Sequence, residues 1–292
     1  MKQEFRAITL KFKTITPVFI GSGEVLERGF HYTVEDNRIL KYDEKVVIAQ
    51  IAERGEFDFT HDENLTVDLL KIKIAGISPE IPGLFQYKVA LSETVPAHKD
   101  KNKNSKAKKR VGEFVNSNGK FYIPGSTIKG CLNTLFKPTI LSGKKITERF
   151  LIYDSDPLEN GNFEVDDFDW FPYYSLLVLK KGSKFTITIP KPGILTKTNL
   201  EEQIRSYFKS QVENAKIKLR KNAENNQKNL TELDKFLKDN KDYNQMLVNL
   251  GYGGGGWFKM NKGAIPPTSA NKGESPYKIH VGWCSVEIVE KT

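Results

Sequence analysis

Cysteine is scarce in this 292-residue sequence, with only Cys131 and Cys284 present. They form no CxxC pair, which excludes a disulfide framework and a cysteine-built zinc site and suits a reducing cytoplasm. Histidine is nearly as rare. None of His31, His61, His98 and His280 has a partner at zinc-ligand spacing, and none adjoins an obvious serine or cysteine nucleophile. Long apolar runs are missing, and nothing approaches the roughly 20 residues of a membrane span. The opening Met1-Lys-Gln-Glu-Phe-Arg6 leads directly into a strand pattern and does not read as a signal peptide. No glycine-rich stretch ends in Gly-Lys-Ser/Thr, which sets aside phosphate-loop nucleotide binding. No cofactor and no metal are implied.

What the sequence does have is positive charge. The net charge is +9 and the pI about 9.2. That balance calls for a polyanionic partner, and nucleic acid, an anionic membrane or a ribosome-like assembly would each fit. The strongest run lies between Ala97 and Gly112, where Lys99, Lys101, Lys103, Lys106, Lys108, Lys109 and Arg110 face one acid, Asp100. With nothing apolar to fix it to a core, this segment reads as a basic loop, either a solvated charge run or an electrostatic tether for RNA.

Hydrophobic periodicity predicts mostly strands. Phe5–Ile15 alternates and stops at Pro17, and Gly21-Ser-Gly23 reads as a turn. Phe30–Val34 and Arg38–Tyr42 read as a hairpin, followed by a helix over about 43–53 capped by Asp43. Two strands are expected around Leu65–Leu69 and Ile72–Ile77, and another at Lys120–Ile123. A helix over about 127–136 then buries Ile128, Cys131, Leu132 and Leu135. Phe150–Tyr153, Leu176–Leu179, Lys184–Ile189 and His280–Val289 read as strands, and Glu164–Asp169 as an exposed acidic loop. A helical hairpin occupies about 198–249, with Thr198 and Glu201 at capping-box spacing and a polar gap over Asn222–Asn229. The order predicts an α+β chain with antiparallel sheets, built as two ferredoxin-like units over 1–160 and 161–292.

Three segments carry candidate chemistry. In Phe121-Tyr-Ile-Pro-Gly-Ser-Thr-Ile-Lys-Gly130, a strand passes through Pro-Gly-Ser into a helix. Gly125 would let a phosphate approach the backbone, while Ser126 and Lys129 would hold it. The plainer reading is a turn with Ser126 as helix cap. In the glycine-rich loop 251–256, Gly253 and Gly254 permit close approach of another backbone, and Trp257 and Lys259 could stack on a base and pair with a phosphate. The plainer reading is a linker with Trp257 anchored in the core. Asp154 and Asp156 could chelate Mg²⁺ or shape a turn. His31, beside Tyr32, is the best candidate for the general base of a metal-independent RNase, against the plainer reading of an exposed strand histidine.

The segment Ile123-Pro-Gly-Ser-Thr-Ile-Lys-Gly130 resembles the "IPGSSIKG" signature of the CRISPR RAMP superfamily. Thr14-Ile-Thr-Pro-Val-Phe-Ile-Gly-Ser-Gly-Glu24 resembles the superfamily's opening strand and turn, and Leu250–Lys259 its C-terminal glycine-rich loop. Within the superfamily the pattern looks most like the type III-A (Csm) effector-complex head subunit, which caps the filament at the 3′ side of the guide RNA. The resemblance implies a non-catalytic, cytoplasmic, RNA-binding subunit of a ribonucleoprotein in antiviral defence. Its implied partners are the crRNA and target RNA duplex, the repeated backbone RAMP subunit and the small helical subunit, with no membrane. The residues expected on RNA are Gly21, Ser22, Gly23, Lys108, Lys109, Arg110, Gly125, Ser126, Lys129, Gly253, Gly254, Trp257 and Lys259. The alternatives are a RAMP endoribonuclease that processes the guide precursor, or a subunit of a Cmr-type complex.

Overall fold

The computed structural model describes residues 7–55, 67–93, 95, 110–135, 140–141, 144–145, 151–168, 174–190, 195–221, 223–240, 246–251 and 282–291. The chain begins β1 (Ala7–Thr14), β2 (Gly21–Glu27), β3 (Tyr32–Glu35), β4 (Arg38–Tyr42), α1 (Glu44–Glu53), α2 (Val67–Ala75), β5 (Phe85–Leu91) and β6 (Arg110–Phe114). Then come the short β7 (Asn116–Ser117) and β8 (Lys120–Phe121), α3 (Gly125–Leu135), and the short β9 (Ile140–Leu141) and β10 (Lys144–Lys145). It closes with β11 (Phe163–Asp166), β12 (Ser175–Leu179), β13 (Lys184–Ile189), α4 (Lys197–Lys221), α5 (Ala223–Asp239), β14 (Leu247–Asn249) and β15 (Trp283–Lys291). This is a mixed α+β chain with several sheets. It forms two compact units, one of residues 1–20, 122–158 and 179–292, the other of 21–121 and 159–178. Both units take residues from either side of residue 160, so compactness and chain order divide the protein differently.

The first unit is built on a four-stranded antiparallel sheet in the order β13-β1-β15-β14. Its alternation is the predicted one. Ile8, Leu10 and Phe12 of β1 pair with Ile189, Ile187 and Phe185 of β13 on one face. All six are buried, and Phe12 stacks on Phe185 at 4.8 Å. The helical hairpin α4–α5 packs Phe208, Val212, Leu233 and Leu237 around Trp283 and Leu247. Two details differ from expectation. The stretch after Asn222 is helical, because α5 begins at Ala223. The reciprocal cap of α4 is made by Thr196 and Asn199, not by Thr198 and Glu201: Asn199 N donates to Thr196 Oγ1 at 3.2 Å and Thr196 N to Asn199 Oδ1 at 2.8 Å. Asparagine fills the role that glutamate usually plays.

The second unit holds a seven-stranded sheet in the order β2-β6-β12-β11-β5-β4-β3. It is not wholly antiparallel as expected, since β11 runs parallel to β5 and β12 parallel to β6. Strand direction depends on crossovers, which hydrophobic periodicity does not record. The strands at the two ends of the order, β2 and β3, are consecutive in the chain. Lying flat, seven strands would separate them by about 29 Å. Residues 27–32 can span at most about 18 Å. The link is tighter still, with His31 N donating to Glu27 O at 2.8 Å and Gly29 N to Tyr32 O at 2.8 Å. The sheet therefore rolls up. Inside the roll, Phe163 lies 5.0 Å from Phe114 and 4.4 Å from Phe121, all three fully buried.

Local corrections in this unit have simple causes. The segment read as strands at Leu65–Leu69 and Ile72–Ile77 contains helix α2. A strand would put Ile72 and Ile74 on one face, yet Ile72 is 67% exposed and Ile74 only 4%. Ile74 instead packs with Ile77, Val47 and Ile51, at helical spacing. The acidic segment read as a loop starts with β11, whose Phe163 and Val165 are buried between acids. Gly21-Ser-Gly23, read as a turn, opens β2, and the register slips between Gly21 and Val25. Asp43 caps α1 as predicted, its Oδ1 accepting from Lys45 N and Val46 N.

Candidate nucleic-acid interface

The signature segment lies in the first unit and enters α3 directly from Pro124. Ile128, Leu132 and Leu135 are buried as the helical spacing requires. Cys131 sits on the same side, and burial pushes its thiol up to about 12. Cys284 is fully buried and its thiol is raised too, first by burial and then by the nearby Cys131. Burial thus favours the neutral thiol at both positions.

A strap of residues 151–156 runs beside the helix start. Read from the sequence as a strand, 151–153 is extended chain outside any ladder, with Tyr153 N donating to Thr188 O at 3.1 Å. Ser155 N donates to Ile123 O at 2.9 Å, and Ile123 N to Ser155 Oγ at 2.8 Å. Asp154 Oδ1 accepts from Gly125 N at 2.8 Å. Asp154 thus puts a carboxylate at the positive end of α3. The strap also accounts for Gly125. A Cβ there would lie 2.3 Å from Ile152 O and 2.9 Å from Tyr153 O. The clearance expected to admit a phosphate is filled by the protein's own backbone. Ser126 is exposed and Lys129 half-buried on the following turn.

In the second unit, Gly21, Ser22 and Gly23 are exposed along β2. Gly23 has φ +95° with nothing within 4 Å of an added Cβ. Ser22 Oγ accepts from Glu24 N at 3.1 Å and donates to Glu113 O at 3.4 Å. Beneath it is a group that sequence reasoning missed. The Glu113 carboxylate, 2% exposed, accepts from Tyr87 Oη at 2.8 Å and lies 3.3 Å from Lys41 Nζ, also buried. Burial, then the Glu113 charge, holds the Tyr87 hydroxyl well above its usual range. The rolled sheet makes this contact, and no local pattern records it. The charges offset each other in a site where a single one would be costly.

His31 is neither exposed nor on a strand. It is a half-buried turn residue whose Nδ1 accepts from Glu27 N at 2.9 Å, with its ring edge-on to Phe30 at 4.5 Å. Burial lowers its pKa. The acceptor nitrogen is thus committed to the turn, which gives His31 a structural role. Arg110, at the end of the basic segment, is exposed and opposite Glu27 in the β2–β6 register. Glu27 also meets Lys71 at 2.6 Å, and this bond leads the lowering of its pKa.

Lys108, Lys109, Gly253, Gly254, Trp257 and Lys259 lie outside the described residues, as do His61, His98 and His280. The loop's first glycine is described. Gly251 has φ +74°, and a Cβ there would lie 2.1 Å from Phe19 O. It is therefore required by packing against the opening segment. No group of three or more metal-ligating side chains occurs among the described residues. No helix among them is long and apolar enough to cross a membrane.

Comparison with known proteins agrees with the sequence resemblance. The CRISPR system Cms protein Csm5 of Methanocaldococcus jannaschii is 29% identical over 136 residues, covering 45% of this chain and 31% of that protein. The match thus spans about a third of that relative's length. A chain in the cryo-EM structure of a Csm–crRNA–target RNA ternary complex of a type III-A CRISPR–Cas system superposes with TM-score 0.61. It is 14% identical over 96% of this chain and 100% of its own. The crystal structure of T. onnurineus Csm5 gives TM-score 0.51 and 13% identity, over 85% of this chain and 90% of its own. At such identities the two structures speak to the fold. The RAMP superfamily model matches residues 11–259, well over half of the sequence, and the chain belongs to that superfamily.

Proposed function

We propose that this chain is a crRNA-binding subunit of a type III-A CRISPR effector complex, capping the filament at the 3′ side of the guide. The observation that carries the reading is the agreement of sequence and fold, since a Csm5 protein resembles this chain by each independently. The site geometry supports it. A signature helix is locked from behind by Asp154 and Ser155, with Ser126 exposed and Lys129 half-buried on its first turns. Those two would grip the RNA backbone without reading sequence, Gly125 serving to fit the helix against its strap. The second unit would make RNA contacts of its own through Gly21, Ser22, Gly23 and Arg110, and the two loops theirs through Lys108, Lys109, Gly253, Gly254, Trp257 and Lys259. The first unit's four-stranded antiparallel sheet would be one ferredoxin-like half, and the rolled sheet a remodelled second.

The partners follow from this reading: the crRNA and its target RNA, the repeated backbone subunit and the small helical subunit, in the cytoplasm. The subunit is non-catalytic, which the engaged His31 supports. Co-expression with the other subunits tests this. A defined guide RNA should copurify with the assembly, and Lys129→Glu should weaken its retention. Recovery only as an RNA-free monomer would sink the proposal. So would metal-independent cutting of repeat RNA that disappears in His31→Ala.

A further inference from the structure

Antiparallel pairing of β1 with β13 gathers lysines that lie about 170 positions apart in sequence. One face of this sheet carries the buried Ile8, Leu10 and Phe12, and the other is covered toward β14, where Leu247 lies under the α4–α5 hairpin. On that other face, Lys11 and Lys13 of β1 and Lys184 of β13 are exposed. Lys13 and Lys184 stand directly opposite each other in register. The turn leading into β13 adds Lys180 and Lys181. That turn is fixed: Gly182, at φ +87°, donates its N–H to Thr14 O at 2.8 Å, Thr14 N donates to Ser183 O at 2.9 Å, and Thr14 Oγ1 donates to Lys180 O at 2.5 Å. Five lysines therefore share one corner, and the acid paired with them in register is Glu287, 3.5 Å from Lys11.

Like charges facing each other across a strand pair destabilise it. A lysine on an edge strand is a common guard against edge-to-edge pairing, which would account for Lys184. It does not account for Lys11 and Lys13, because β1 is an interior strand with β13 on one side and β15 on the other. A polyanion laid across the corner would turn the repulsion into binding.

We propose that Lys13, Lys181 and Lys184, flanked by Lys11 and Lys180, form a second RNA-backbone site at the exposed β1–β13 corner of the four-stranded sheet. The proposal rests on the RNA-binding reading above and extends it. The strap beside α3 meets β13 at Thr188. Lys184 lies four residues along the same strand, about 13 Å away. A stacked strand rises about 3.4 Å per nucleotide, so the stretch of β13 from the strap to the corner corresponds to roughly four nucleotides.

The test is the salt dependence of binding of the full chain to a short single-stranded oligouridylate. The variant Lys13→Gln/Lys181→Gln/Lys184→Gln is compared with Lys45→Gln/Lys120→Gln/Lys235→Gln, which removes the same charge from exposed positions elsewhere. The corner variant should bind about tenfold more weakly at low salt, and its log–log salt slope should fall by about 2, near 0.7 for each lost phosphate contact. Its melting temperature should hold or rise, because a repulsion is removed. The control should stay within about twofold of the parent. Equal affinity and slope in the two variants would overturn the corner site and leave the RNA-binding reading standing. Failure of the parent to bind would overturn both.

Discussion

Gly125 is held by sterics more than by ligand chemistry. A Cβ there would meet the backbone oxygens of Ile152 and Tyr153, which sit in a strap with four hydrogen bonds to its neighbours and cannot move alone. Gly125→Ala should destabilise the protein by about 1–3 kcal/mol, the usual range for overpacking, as read by denaturant unfolding. Ser126→Ala, at an exposed position, should stay within about 0.5 kcal/mol of the parent. His31 gives a second prediction at this scale. Its folded pKa lies below the ordinary value of about 6.5 because burial disfavours the charged ring. A depressed pKa means that the unfolded chain takes up the proton first. The His31 contribution is therefore complete above about pH 6.5 and declines as pH falls toward the folded value. Unfolding midpoints measured from about pH 7 to about pH 5 should fall less in His31→Gln than in the parent. Equal slopes would remove His31 as a contributor. The sequence named both positions but misjudged their surroundings, because Ile152 reaches Gly125 from a distant segment and Glu27 holds His31 through a tight turn that hydrophobic periodicity does not record. Glu113 is the opposite case. It belongs to no motif in the sequence, and only the rolled sheet puts Lys41 and Tyr87 beside it.

The α4–α5 segment reads in the sequence as a helical hairpin set into a strand-rich chain. In the fold its apolar face closes over Trp283, whose ring lies 5.6 Å from Phe208 and 5.5 Å from Phe236. Phe208 is 1% exposed and Trp283 2%. Phe208→Ala should cost about 3–5 kcal/mol, the range for a large aromatic lost from a packed core. A variant with near-parental stability would mean that the hairpin is an appendage after all. Thr196→Ala, which removes one arm of the reciprocal cap, should cost about 1 kcal/mol. The regular strands and the buried stripe of α3 were legible because period 2 and period 3.6 are local signals. Helix α2 was not, because its isoleucines invite a strand reading and only tertiary packing shows which of them is buried. The parallel neighbours of β5 and β6 were out of reach for the same reason, since pairing is decided by crossovers between distant segments.

At the scale of the whole molecule, the first unit is held by pairing between the two ends of the described chain. β15 runs antiparallel to β1 from Ala7↔Lys291 to Thr14↔Cys284, and it is also the strand that joins β14 to the sheet. Its Trp283, Cys284, Val286 and Ile288 are all buried. A sheet built on contacts this far apart in sequence closes late, because the loop entropy is lost before the contacts form. Ending the chain before Trp283 should therefore do more than remove one strand. It would uncover a long flank of β1, detach β14, and take Trp283 out of the α4–α5 cluster. The second unit takes no residue from beyond position 178. Hydrogen exchange followed by peptide mass analysis should then show β1, β13 and α4 losing protection in the truncated chain. The rolled sheet around Phe114, Phe121 and Phe163 should keep its slow amides. Uniform loss of protection across both units would show that they fold as one cooperative body, and the two-unit account of this chain would have to be given up.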